Sequence, residues 1–61
     1  MAVDARAKAL VAQLRESLRS ELKGLLHEGR RVEAMRRYSA ASGEDLTMAR
    51  RVVDLLEDDK P

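Results

Sequence analysis

Cysteine, tryptophan and phenylalanine are absent from these 61 residues. Without cysteine there is no disulfide framework and no thiolate metal site. A single histidine leaves a zinc centre almost no nitrogen ligands. No apolar run approaches the roughly 18 residues of a membrane span, and no basic-then-apolar leader opens the chain. β-forming residues are few, and no stretch alternates apolar and polar residues long enough for a strand. These absences point to a soluble, cytoplasmic, all-α miniature. The initial Met and the polar tail are read as the ends of a complete chain, a single helical domain over 1–61.

What is present is helix-forming: Ala, Leu, Arg, Glu and Lys dominate. Charge is nearly balanced, with 12 basic and 11 acidic residues, which argues against a chain whose main task is neutralising phosphates. The distribution is uneven: 1–26 and 27–43 each carry net +2, and 44–61 carries net −3.

Apolar residues at Val3, Ala7, Leu10, Leu14, Leu18, Leu22 and Leu25 recur at a mean step of about 3.67, close to the straight-helix period. The spacing predicts one long first helix over about 3–27. A heptad seam would place an apolar residue at 21, where Glu21 stands, so the stripe suits a small bundle better than a long coiled coil. Gly29 is the natural stop, since glycine accepts the left-handed conformation without steric penalty. A second helix is expected over about 30–42, with Val32, Met35, Tyr38 and Ala41 at i+3 spacing. Gly43 ends it, Asp45 caps a third helix over about 46–58, and Leu46, Ala49, Val52, Val53 and Leu56 form that helix's apolar face. Local ion pairs are expected at i,i+4 for Asp4–Lys8 and Arg50–Asp54, and Glu33 is expected to reach both Arg36 and Arg37 at i+3 and i+4. The final residues, Asp58 to Pro61, have nothing to bury and are expected to fray.

The predicted fold is therefore a three-helix domain, a long first helix against an antiparallel helical hairpin. Burying one Leu or Val stabilises by roughly 1.5–3 kcal/mol, while ordering each residue costs about 1.5 kcal/mol. So small a core sits near balance, and a homodimeric bundle through Leu10, Leu14, Leu18 and Leu22 is expected.

Enzyme chemistry and cofactors are not expected. His27 falls where a helix C-terminus favours a histidine as a dipole partner, and none of the serines or Thr47 has an activating context. The acidic tail matches no calcium loop. The doublets Arg30-Arg31, Arg36-Arg37 and Arg50-Arg51 admit three readings: a solvated face, a protein-binding surface, or phosphate contacts for nucleic acid. Tyr38 is either a core residue with its hydroxyl in water or an anchor for a partner.

The segment 29–54 resembles the helix–turn–helix of the C-terminal domain of the bacterial ribosomal stalk protein. The matching positions are Arg31-Val32, Met35-Arg36, Ser42-Gly43, Leu46, Ala49-Arg50 and Val53. In that family this hairpin docks translational GTPase factors, so the resemblance implies Arg31, Val32, Met35, Arg36 and Arg50 as partner contacts. Ser39 and Thr47 stand where the family has basic residues. The family's three-stranded sheet has no counterpart, and the first helix is expected to replace it. The expected function is a small protein–protein interaction module. A nucleic-acid-binding module and a purely structural or regulatory dimer are the alternatives.

Overall fold

The turn between the last two helices is written locally. In the computed structural model, which describes residues 2–58 and the side chains of 4–58, the second half of the chain forms a helical hairpin. Its helices are α3 (Arg31–Ser42) and α4 (Leu46–Asp58), preceded by α1 (Ala2–Ala12) and α2 (Glu16–His27). No strand occurs among the described residues.

α2 stops in a Schellman turn. Gly29 takes φ +77, its N–H donates to the Leu26 carbonyl at 3.0 Å, and the Arg30 N–H donates to the Leu25 carbonyl at 2.8 Å. α3 stops at Gly43, with φ +79 and its N–H on the Ser39 carbonyl at 2.9 Å. The Ser39 hydroxyl then donates to the Glu44 carbonyl at 2.6 Å, and Asp45 Oδ1 accepts the Met48 N–H at 2.9 Å, so the turn and the start of α4 are closed by side chains. Asp58 ends α4 within the helix, and 59–61, where fraying was expected, lie outside the described residues.

The single long first helix is not formed. The chain breaks at Gln13, Leu14 and Arg15, giving four helices among the described residues instead of the expected three. Dimensions explain the break. A straight helix over 3–27 would be about 37 Å long at 1.5 Å per residue, whereas α3 and α4, of 12 and 13 residues, offer about 18–20 Å to pack against. Half of such a helix would have nothing to bury against. Bending at 13–15 lays α1 along α4 and brings Ala7 to complete burial. The break frees carbonyls at the end of α1. One is recovered by Arg19 of α2, whose Nη2 donates to the Val11 carbonyl at 2.6 Å.

α4 packs against α1, α2 and α3, and α2 also packs against α3. The core is Ala7 from α1, Leu22 from α2, Ala34 and Tyr38 from α3, and Ala49, Val52, Val53 and Leu56 from α4. Ala7, Ala34 and Ala49 lie on three different helices and are fully buried, so backbones approach closely where those helices meet. Leu10, Val11, Leu14, Leu18, Leu25, Leu26, Met35, Met48 and Leu55 pack around this centre half-buried.

Two glycines of the α2 end behave oppositely. Gly24 sits in the helix with open space where a Cβ would point, and Gly29 holds a left-handed φ. Gly24→Ala is expected to stabilise the chain by about 1 kcal/mol. Gly29→Ala is expected to destabilise it by about 1–2 kcal/mol. Chemical denaturation of both variants checks this, and shifts of the same sign would contradict the assigned turn.

Candidate partner-docking face

The arginine doublets are divided by the fold. Arg31 pairs with both Asp54 and Glu57 near the far end of α4. Arg37 Nε lies 3.0 Å from Glu21 Oε2 of α2. Arg51 pairs with Asp4 of α1. Arg30 reaches Glu33 at 3.3 Å and Glu28 at 3.8 Å. Arg36 and Arg50 make no ion pair among the described residues.

The expected local pairs are accordingly replaced. Asp4 bonds Arg51 and not Lys8, Arg37 bonds Glu21 and not Glu33, and Asp54 bonds Arg31 and not Arg50. Each replacement joins two helices. Packing places an opposite charge from a neighbouring element within reach, which the i,i+4 rule cannot anticipate.

The Arg31 contacts also set the register of the hairpin. Arg31 opens α3 while Asp54 and Glu57 lie near the end of α4, so the two helices run antiparallel. At 3.6 residues per turn, Leu46, Arg50, Asp54 and Glu57 share one row of α4, and Arg31 and Met35 share one row of α3. The pairing sets these rows side by side. Carried along the hairpin at equal rise, the register brings Arg36 level with Arg50 along the axis, with Arg36 about 140° around α3 from the Arg31 row, on its outward side.

Apolar surface frames these two arginines. Val32 and Leu46 are the exposed large hydrophobic residues among those described, at 58% and 53%. Each stands four residues before an unpaired arginine, Val32 before Arg36 and Leu46 before Arg50. Met35 is half-buried between the core and this face. Of the five residues implied by the family resemblance, Val32, Met35, Arg36 and Arg50 thus retain free surface, while Arg31 is engaged inside the chain. Leu46 extends the face and was assigned to the core by its place in the α4 period. What sets it apart is its place on the Arg50 and Asp54 row, at the edge of the side that buries Ala49, Val52, Val53 and Leu56.

The residues expected at a dimer interface are divided too. Leu22 is fully buried in the core and offers no surface. Leu10, Leu14 and Leu18 are half-buried and line a groove of about 480 Å³ under the α1–α2 bend. Tyr38 and Ala41 form its far wall, and the Glu21–Arg37 pair lies at its rim. Burial of the Tyr38 ring pushes its phenol above the ordinary value, and Glu44 adds to the rise against the Ser42 hydroxyl and Arg6. Among the described residues, no helix is long and apolar enough to cross a membrane, and no group of three or more acidic or histidine side chains is placed to hold a metal ion.

No protein-family model matches the chain, and no curated protein or solved structure matches it.

The Asp4–Arg51 pair gives the ion-pair arrangement a direct readout. The hydrogen bond and charge of Arg51 hold the Asp4 carboxyl below its ordinary 3.8. A depressed carboxylate stabilises the fold above its unfolded value, and that contribution is lost as pH falls through the lower folded value. Titration of the Asp4 side-chain carbon by NMR is expected to show a midpoint below 3.8, returning toward it in Arg51→Gln. An unchanged midpoint in that variant would contradict the α1–α4 pairing.

Proposed function

We propose that the chain is a small helical protein–protein interaction module whose α3–α4 hairpin docks an acidic segment of a partner protein. The observation that carries this reading is the pairing of exposed apolar side chains with unneutralised arginines, Val32 with Arg36 and Leu46 with Arg50. An apolar contact excludes water around the guanidinium groups, and carboxylates of a partner supply their missing counter-charge. The resemblance of 29–54 to the ribosomal stalk hairpin points to the same two helices. In place of that family's sheet, α1 and α2 cover the inner side of the hairpin.

The second part of the proposal is self-association. Three of the eight buried side chains are alanine, and the half-buried Leu10, Leu14 and Leu18 border an open groove. A second copy of the chain would complete that apolar surface.

A nucleic-acid backbone is the weaker occupant of the hairpin. Four of its six arginines, Arg30, Arg31, Arg37 and Arg51, already face carboxylates of this chain. Phosphate binding would have to displace them.

Arg36→Glu with Arg50→Glu tests the docking reading, because neither side chain supports the fold. Thermal stability is expected to stay unchanged while affinity for the captured protein partner falls at least about tenfold. Equal recovery of the same partner by the folded double variant would reject the face.

A further inference from the structure

The bend between α1 and α2 is made from residues that favour a straight helix. Gln13, Leu14 and Arg15 include no glycine or proline, and all three are good helix formers. Arg15 leaves the helical region, at φ −66 and ψ 148, and gives α2 no side-chain cap. The apolar period nevertheless runs through the break, from Leu10 to Leu14, Leu18, Leu22 and Leu25. Local preference and tertiary arrangement therefore disagree at this one point.

α1 is also the least attached helix. It lies along α4 and has no packing interface with α2 or α3 among the described residues. Its anchors are buried Ala7, the Asp4–Arg51 pair, and Arg6 Nη2 on Glu44 Oε2 at 2.6 Å. Two interactions belong to the bent form, both on the Val11 carbonyl: the bond from Arg19 and the short-turn bond from the Leu14 N–H at 3.2 Å. In a straight helix that carbonyl would accept the Arg15 N–H, four residues on.

We propose that two copies of this chain form a two-fold dimer by exchanging α1. In each copy 13–15 becomes helical, and α1 leaves its own α4 for the α4 of the other. The second copy is the fitting occupant because it presents every group that α1 already binds. Ala7 re-enters a core of the same shape, and the Asp4–Arg51 and Arg6–Glu44 pairs reform between chains. The exchange gains helical hydrogen bonds across 13–15 and strands no carbonyl. It also turns Leu10, Leu14 and Leu18 from the wall of an open groove into one straight stripe, where two long helices meet about the symmetry axis. The inference rests on the self-association proposed above and is independent of the hairpin face.

The test uses a proline that fits only the bent chain. Glu16 is the first residue of α2, where a proline removes no intrahelical bond, and Arg15 already has the extended conformation of a residue before proline. Sedimentation is expected to show the native chain doubling in mass with rising concentration, and Glu16→Pro remaining at single mass while fully folded. The route of association is read by cross-linking, which the absence of cysteine makes clean. Lys8 of α1 and Asp58 of α4 line one hollow. Lys8→Cys and Asp58→Cys chains, mixed at high concentration and treated with a short bis-maleimide, are expected to join to each other, and to lose that link when both carry Glu16→Pro. A dimer that forms without this link overturns the exchange and leaves self-association standing. Single mass at every concentration overturns both.

Discussion

The buried row of α4 is the surface on which the other three helices depend. Ala49, Val52, Val53 and Leu56 place two adjacent valines and a leucine on one side of a helix that packs against α1, α2 and α3. Each such valine or leucine contributes about 1.5–3 kcal/mol on burial. Among the described residues, no other helix buries more than two side chains. Ala49 also lets α4 come close to its neighbours, as Ala34 of α3 and Ala7 of α1 do for theirs. The helix order follows from this. α3 returns beside α4 through a three-residue turn, α2 covers both, and α1 fills the remaining side of α4 by leaving the line of α2.

Charge then decides which parts of the surface are self-contained. Exposed ion pairs add little stability, about 0–1 kcal/mol each. Their arrangement here matters more for orientation, since Asp4–Arg51, Glu21–Arg37 and Asp54–Arg31 each join two helices. Every arginine doublet has at least one member engaged this way. What is left over is Arg36 and Arg50, beside Val32 and Leu46 on the outer face of the hairpin. The packing that engages four of the six doublet arginines thereby leaves the other two, Arg36 and Arg50, close in sequence to exposed apolar side chains.

The features legible in the sequence are those determined within a few residues. Gly29, Gly43 and Asp45 mark helix ends because a left-handed φ or a capping oxygen is a local requirement, and the second half of the chain follows them closely. The break at Gln13–Arg15 was not legible. Nothing in those residues opposes a helix; the limit is the length of α3 and α4, the surface against which the first half of the chain has to pack. The replaced ion pairs share this cause, since an i,i+4 partner is visible in sequence and a carboxylate on a neighbouring helix is not. The proposed docking face was partly legible. Val32, Arg36 and Arg50 could be named from spacing and resemblance, whereas the engagement of Arg31 and the exposure of Leu46 depend on how α3 and α4 are turned against each other.

Native-state hydrogen exchange addresses the organising role of α4 most directly, because it ranks the helices by the free energy needed to open them. The account requires the slowest-exchanging amides to lie in α4 around Val52 and Val53, with α3 next and α1 opening first. Slowest exchange in α1 and α2, with α4 exchanging early, would mean that the opening leucines hold the structure and that α4 follows them.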